Sequence, residues 1–214
     1  FMDNMPAFLV GKSETAKGTF PWERRWNAPD YTASVHQGLA RAIISQGFEK
    51  EADFAYTDEF TMDHAFTLPL TYLRPEADLP IVPIFGNVMA PPLPPAKRFY
   101  RIGHVLREII EEFPEDIRVA VICSGHMSTE IGGPKIMHPD AEFDTWALDI
   151  LASGKIDEAL AGFTPQRFLE AGNYTAGFLM FVMLMGLADN KQAAVSYLLD
   201  LEVTRLPFLR WDLI

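Results

Sequence analysis

Two histidines stand at positions where acid–base or metal chemistry is expected in an α/β protein. His64 follows a predicted strand at residues 52–56, and His126 follows a predicted strand at residues 116–123. Ligands of open α/β sheets gather where strands end and loops begin, and histidine is both a common general acid or base and a frequent metal ligand. The alternative is that each histidine only caps its loop by hydrogen bonding, and both interpretations stay open at this point.

The other chemistry-bearing residues give weaker signals. No HxH, HExxH or CxxC spacing occurs, so the sequence contains no strong metal motif. The segment 132–134 lacks the lysine and serine of a phosphate-binding loop. The single cysteine, Cys123, excludes an internal disulfide framework and is expected to be a buried structural thiol. His36 and His104 fall inside predicted helices, where packing or surface roles are expected.

Composition excludes several classes of partner. The chain has 214 residues, 49% of them hydrophobic, which predicts one globular domain with an ample core. A net charge of −11 and a pI near 4.8 exclude nucleic acid and anionic membranes as expected partners, because phosphates would be repelled. The longest apolar run, residues 177–188, is shorter than the roughly 18 residues that a membrane span requires. Together with the single cysteine, these features predict a cytoplasmic protein.

Strands alternate with helices along the chain, which predicts an α/β layered sheet of mixed, largely parallel strands flanked by helices. The predicted strands are residues 7–11, 52–56, 80–85, 116–123 and 193–203. The predicted helices are residues 31–48, 96–113, 142–151, 155–161, 165–170 and 175–187. Asp30 is the expected N-cap of the first helix. Residues 12–29, which contain two tryptophans, are expected to form a loop.

A set of short segments occurs in the same order as in one enzyme family. They are residues 5–8, 47–48, 63–70 (DHAFTLPL), 80–84 with Asn87, 92–98 (PLPPAKR) with 102–103, 118–125 and 142–144. Together they resemble the class III extradiol ring-cleavage dioxygenases, of the type of the protocatechuate 4,5-dioxygenase β subunit and gallate dioxygenase. The DHxxTxPL and PxPxxxR elements are specific in combination and weak singly. The resemblance extends to about Gly186.

The resemblance implies cleavage of a catechol-type ring by O₂ at a non-haem Fe(II) held by two histidines and one carboxylate. It implies that His64 hydrogen-bonds substrate or dioxygen and that Asp63 orients the loop and contacts substrate. The family's two iron-binding histidines would lie upstream of Phe1, so residues 1–214 are expected to be a partial catalytic-type domain that lacks its N-terminal portion. A homo- or hetero-oligomer is the expected assembly.

The sequence departs from the family where the catalytic acid–base histidine is expected. The family's segment GGLSH or GGMSH ends in that histidine, whereas this chain has Thr129 there and His126 in place of the second glycine. Threonine does not transfer protons near neutral pH, so either His126 takes over the role or the activity is lost. Ser128 and Thr129 are then expected to contact substrate. By the resemblance the carboxylate ligand would fall near residues 172–174, where this chain has Tyr174, and Glu170, a few residues earlier, is the only nearby carboxylate.

Three functional hypotheses follow. The first is a ring-cleavage dioxygenase whose missing histidines are supplied by a longer reading frame. The second is an inactive homologous subunit that stabilises an active partner, with the Trp-containing loop and the aromatic tail at residues 208–211 as a pairing face. The third is a non-enzymatic module that binds a small molecule. Iron content of the longest reading frame discriminates the first hypothesis from the second.

Overall fold

A computed structural model describes residues 6–213, which form two compact units. The first unit contains the chain up to Asn87 together with Ile109–Val119, and the second contains Val88–Glu108 together with the chain from Ala120 onward. Helix α3 (Ala96–Glu112) begins in the second unit and ends in the first. Within the described residues, no helix is long and apolar enough to span a membrane.

The first unit holds two small mixed sheets and two helices. Its strands are β1 (Phe8–Gly11), β2 (Thr15–Gly18), β3 (Tyr31–Ser34), β4 (Ala55–Thr57), β5 (Thr61–Met62) and β6 (Ile84–Gly86), and its helices are α1 (Gln37–Glu49) and α2 (His64–Leu73). In one sheet β1 lies between β4, to which it is parallel, and β6, to which it is antiparallel. In the other, β2 lies between antiparallel β3 and parallel β5.

The second unit is mainly helical. Its elements after α3 are α4 (Ala141–Ser153), α5 (Ile156–Gly162), α6 (Pro165–Ala171), a 3₁₀ turn (Thr175–Phe178), α7 (Leu179–Leu187) and the antiparallel hairpin of β7 (Val195–Asp200) and β8 (Arg205–Arg210). Its core is an aromatic cluster in which the Phe178 ring lies 4.7 Å from Phe163 and 6.0 Å from Phe143. Edge-on and tilted contacts between aromatic rings stabilise a core beyond the burial of their apolar surface.

Close packing of α3 on α7 depends on glycine at two facing positions. A Cβ at Gly103 would lie 2.0 Å from the Met183 carbonyl oxygen, and a Cβ at Gly186 would lie 2.2 Å from the Tyr100 carbonyl oxygen. Both neighbours are backbone atoms of the opposite helix, so no side-chain movement could relieve the contact. The two backbones therefore approach as closely as they do because neither position carries a side chain.

The predicted mixed α/β composition is confirmed, but a single largely parallel layered sheet is not. The described strands form three small sheets with both parallel and antiparallel pairs. The strand at residues 7–11 and the helix at residues 96–113 are confirmed as β1 and α3. The predicted loop at residues 12–29 instead contains β2 and a 3₁₀ turn, Glu23–Trp26.

The strand predicted at residues 116–123 is wrong for this structure. Residues 117–123 have no strand assignment, and Ile117, Val119, Val121 and Ile122 are all more than a third exposed. A β-rich sequence forms a strand only where a neighbouring strand supplies partners for its backbone groups. Within residues 6–213 no such ladder forms on this segment.

The helix predicted at residues 31–48 begins later than expected. Tyr31, Ala33 and Val35 are buried and alternate with exposed residues, which is the period of a strand, and residues 31–34 form β3. The N-cap of α1 is His36, whose Nδ1 accepts a hydrogen bond from the Leu39 N–H at 3.1 Å. The predictions that Asp30 caps this helix and that His36 lies inside it are therefore wrong.

Candidate functional site

His64 is the first residue of α2, where the chain leaves β5. Asp63 is the N-cap, and its Oδ1 accepts a hydrogen bond from the Ala65 N–H at 3.0 Å. Burial raises the pKa of Asp63, although the nearby His64 ring and the bond from Ala65 act in the opposite direction. In this structure Asp63 therefore holds the start of the helix that carries His64.

A fully buried carboxylate, that of Glu23, meets His64 from the 3₁₀ turn. Glu23 Oε1 accepts a hydrogen bond from the His64 backbone N–H at 3.0 Å and lies 2.5 Å from His64 Nδ1. Oε2 accepts bonds from the Thr19 hydroxyl at 2.8 Å and from the Phe20 N–H at 3.1 Å. Burial by itself raises the pKa of Glu23, but these hydrogen bonds outweigh it and the pKa is lowered. The carboxylate is therefore ionised at neutral pH.

Aromatic rings flank the exposed side of His64. The Trp26 ring lies edge-on to the His64 ring at 6.2 Å, and Trp22 lies edge-on to Trp26 at 5.4 Å. The His64 side chain is 40% exposed, and its Nε2 has no hydrogen-bond partner within the described chain. One imidazole nitrogen thus lies against a buried carboxylate, while the other makes no hydrogen bond within the described chain, on a ring that contacts Trp26.

Sequence reasoning identified His64 but missed Glu23 and assigned no role beside it to Trp26. Glu23 and His64 are 41 residues apart and lie in different elements. No spacing rule connects an acidic residue in a predicted loop with a histidine after a later strand. The two tryptophans at residues 22 and 26 were the only local signal, since aromatic residues in a polar loop are candidates for contact with a ligand.

The second predicted site, the segment from His126 to Thr129, is held by hydrogen bonds at its C-terminal end. The Ser128 N–H donates to Asp144 Oδ1 at 2.7 Å, and Ser128 Oγ accepts from the Asp140 N–H at 2.7 Å. The Thr129 hydroxyl donates to the Met127 carbonyl oxygen at 3.1 Å. The polar groups of Ser128 and Thr129 are therefore engaged within the protein. His126, at the start of the segment, is an exposed residue.

Asp144 anchors this segment from α4. It is fully buried, and its Oδ2 lies 3.9 Å from Arg205 Nη1 on β8. Burial raises the pKa of Asp144 against the opposing effects of the Ser128 bonds and the Arg205 charge. Because the Arg205 guanidinium also donates to the Ala141 carbonyl oxygen at 3.0 Å, the segment, α4 and β8 are joined at one point.

The structure places Thr129 against the loop where a carboxylate ligand was expected. The Tyr174 N–H donates to the Thr129 carbonyl oxygen at 2.9 Å, and the Thr129 N–H donates to Thr175 Oγ1 at 3.1 Å. A Cβ at Gly172 would lie 2.4 Å from the Thr129 carbonyl oxygen. Thr129 and the segment near residues 172–174, where the resemblance implies the carboxylate ligand, are thus in contact.

The described side chains do not form an iron site by themselves. Glu170, the one carboxylate expected there, is exposed and accepts a hydrogen bond from Gln166 Nε2 at 2.7 Å. Within residues 6–213 no three histidine, cysteine or acidic side chains come together in a way that could hold a metal ion. The donor set in this part of the chain therefore does not fit a two-histidine, one-carboxylate centre.

An open pocket of about 240 Å³ lies beside Ser128 and Thr129 in the second unit. It is also lined by Glu130 and by residues 135–139 and 203–204, which include Lys135 and His138. Ligand pockets usually enclose roughly 300–1,000 Å³, so this pocket is below the usual size. His126 is not among the residues that line it.

Comparisons with known proteins agree on one family. The sequence model described as the catalytic LigB subunit of aromatic ring-opening dioxygenase matches residues 1–204. A gallate dioxygenase of Pseudomonas putida is 32% identical over 121 residues, which are 55% of this chain and 36% of that protein. Two proteins named 2,3-dihydroxyphenylpropionate/2,3-dihydroxicinnamic acid 1,2-dioxygenase are also similar. The one from Photorhabdus laumondii is 33% identical over 129 residues, 60% of this chain and 38% of that protein. The one from Klebsiella pneumoniae is 30% identical over 156 residues, which are 72% of this chain and 46% of that protein. The chain therefore spans less than half the length of these relatives.

Proposed function

Because the chain belongs to the family of the catalytic LigB subunit of aromatic ring-opening dioxygenases, we propose that the protein opens a catechol-type ring with O₂ in the extradiol position. Relatives named for gallate and 2,3-dihydroxyphenylpropionate support an aromatic acid as the substrate. The observation that carries the proposal is the contact of Glu23 with Nδ1 of a partly exposed His64 ring whose Nε2 makes no hydrogen bond within the described chain.

Fe(II) is the cofactor that this reaction class implies, since a non-haem iron with open positions binds both the catecholate and O₂. The described residues do not supply its triad, and we assign none of them as a ligand. The proposal for this chain concerns the groups that hold the substrate and handle its protons.

We propose that His64 Nε2 accepts a proton from a hydroxyl group of the bound aromatic and later returns one. A positioned imidazole suits this role because its ordinary pKa of about 6.5 lies near neutral pH. The edge of Trp26, close to the His64 ring, offers an apolar surface to the substrate ring.

His126 is the second imidazole that we propose for proton transfer. It is an exposed residue at the start of a segment fixed by Ser128 and Asp144. Of the two residues that stand in for the family's acid–base histidine, His126 alone carries an imidazole, the side chain that serves most often as a general acid or base.

The test is turnover of the full-length protein after anaerobic loading with Fe(II), followed by O₂ consumption and by the absorbance of the ring-opened product. Gallate, protocatechuate and 2,3-dihydroxyphenylpropionate are the probes. His64→Ala should lower kcat by roughly 10²–10⁴-fold, the usual contribution of a general acid or base. His104→Gln, which can retain a hydrogen bond to Tyr100, is the matched control and should leave kcat unchanged. Unchanged turnover in His64→Ala would remove His64 from the mechanism.

The residues at the positions where this sequence differs from the family's motif favour a second function. Thr129 and Tyr174 occupy the places of the catalytic histidine and the carboxylate ligand, which is the pattern of a homologous subunit that pairs with an active one. The β7–β8 hairpin offers an apolar face for pairing, since Tyr197 lies opposite Phe208 and both are more than half exposed. This function predicts a folded, iron-free full-length protein that raises the turnover of an active dioxygenase subunit. Stoichiometric iron with turnover of its own would refute it.

A further inference from the structure

We propose that Glu23 is a positioning residue that holds His64 as the Nδ1–H tautomer and so makes Nε2 the nitrogen that accepts a proton. The inference rests on the proposed function of His64 and deepens it by naming the residue that makes Nε2 the accepting nitrogen. It also adds a residue, Glu23, that lies in a different element and far away in sequence.

The first argument is the geometry of the carboxylate. One oxygen, Glu23 Oε1, contacts both the backbone N–H of His64 at 3.0 Å and its ring Nδ1 at 2.5 Å. The backbone bond fixes Oε1 relative to the start of α2, so the ring is oriented by an atom that is itself held in place. The other oxygen is fixed by Thr19 and Phe20, so the carboxylate cannot rotate without losing bonds on both sides.

The second argument is chemical. An ionised carboxylate only accepts hydrogen bonds, and Glu23 is fully buried with all its described contacts made by donors. A ring nitrogen 2.5 Å away must then carry a proton, which makes Nδ1 the donor. In a neutral imidazole the other nitrogen, Nε2, is consequently the acceptor.

The other carboxylate near His64 does not take over this task. Asp63 Oδ1 is engaged by the Ala65 N–H as the helix cap. Trp26 meets the ring edge-on at a centroid distance of 6.2 Å and limits the space beside it. Glu23 is therefore the carboxylate that contacts the imidazole, whose side chain is 40% exposed.

The experiment measures the tautomer directly, by long-range ¹H–¹⁵N correlation spectra of the full chain labelled at histidine nitrogens. In the neutral imidazole, measured at alkaline pH, His64 should show a protonated Nδ1 and an unprotonated Nε2. His36 is the internal reference, because its Nδ1 accepts from the Leu39 N–H and its neutral ring must carry the proton on Nε2. A proton on Nε2 of His64 at this pH would overturn the proposal.

Glu23→Gln tests whether the carboxylate sets the tautomer. If the amide oxygen of the new side chain replaces Oε1, it favours the Nδ1–H tautomer, but the NH₂ group then faces the Phe20 N–H. If the NH₂ group replaces Oε1, it favours the Nε2–H tautomer, but it then faces the His64 N–H. The two orientations, and with them the two tautomers, therefore become similar in energy. We expect the ratio of Nδ1–H to Nε2–H to fall by roughly 10- to 100-fold from the wild type, the factor of one charge-assisted hydrogen bond. Thr19→Val is the matched control, since it removes a bond to Oε2 and leaves both contacts of Oε1 in place. An unchanged ratio in Glu23→Gln, or an equal loss in Thr19→Val, would refute a positioning role.

Turnover in the same preparations separates this inference from the proposed function. If the wild type opens catechols and Glu23→Gln loses the tautomer, kcat should fall with it while KM changes little. A changed tautomer with wild-type kcat would overturn the role of Glu23 in the reaction. Absence of turnover in the iron-loaded wild type would refute the proposed function, whereas the tautomer measurement would still decide whether Glu23 orients His64.

Discussion

Replacing Asp144 tests how the segment of His126 is held in place. Asp144→Ala removes the acceptor of the buried Ser128 N–H, a bond of 2.7 Å. A buried donor left without a partner costs about 1–3 kcal/mol. Arg205, whose side chain is only 14% exposed, also loses a nearby carboxylate. We therefore expect Asp144→Ala to lower the free energy of unfolding by roughly 2–4 kcal/mol.

Asp144→Asn separates the hydrogen bond from the charge. The amide oxygen can still accept from Ser128, while the attraction to Arg205 at 3.9 Å is lost. That attraction is on the order of 4 kcal/mol at an effective dielectric constant of 20. Since burial nevertheless raises the pKa of Asp144, desolvation of the charge outweighs the charge and hydrogen-bond interactions together. The asparagine variant should therefore lose less than about 1 kcal/mol.

The pH dependence of the same variants has a definite sign. A carboxyl group whose folded pKa is raised stabilises the fold below its unfolded pKa, near 3.9, and this contribution is lost as the pH rises through the folded pKa. Urea denaturation from pH 4 to pH 8 should therefore show the asparagine variant gaining stability relative to wild type as the pH rises. If asparagine costs as much as alanine at pH 8, the charge of Asp144 stabilises the fold and the reasoning fails.

Three further predictions concern single residues elsewhere. Because the pKa of Glu23 is lowered in the folded protein, its contribution to stability is present above the unfolded pKa, near 4.3, and is lost as the pH falls through the folded pKa. The thermal midpoint of Glu23→Gln should thus be less sensitive to acid between pH 6 and pH 3 than that of wild type, and equal slopes would contradict this. Gly103→Ala should cost roughly 1–3 kcal/mol in urea denaturation because its Cβ would lie 2.0 Å from the Met183 carbonyl oxygen. Gly38→Ala, whose nearest neighbour is a side-chain atom at 3.2 Å, is the control, and a comparable loss there would show that the close contact is not the cause. Burial raises the pKa of the Cys123 thiol to about 12, so alkylation by iodoacetamide at pH 8 should be on the order of 1,000-fold slower than for a free cysteine. Mass spectrometry follows the modification, and a rate near that of free cysteine would contradict the raised pKa of the Cys123 thiol.

Elements with a strong local signal could be predicted from the sequence. The apolar stripe of α3 repeats at helical spacing, and Phe99, Ile102 and Leu106 are buried as that spacing requires. Residues 116–123 had an equally strong β signal but formed no strand, because strand formation depends on partners supplied by other parts of the protein. Residues 31–34 form a strand and residues 37–49 a helix, and the buried residues of both were assigned to one helical pattern.

The family and the position of His64 could be inferred from the sequence alone, because they depend on residue types in a short ordered motif. The partner of His64 was decided by the tertiary structure. Glu23 reaches Nδ1 across 41 residues of sequence, because a 3₁₀ turn places a buried carboxylate at the first residue of α2. Likewise the hydrogen bond from the Ser128 N–H to Asp144 was decided by the tertiary structure. Sequence periodicity reports which face of a local element is apolar, whereas the pairing of buried polar groups depends on which elements the folded chain brings within hydrogen-bond distance.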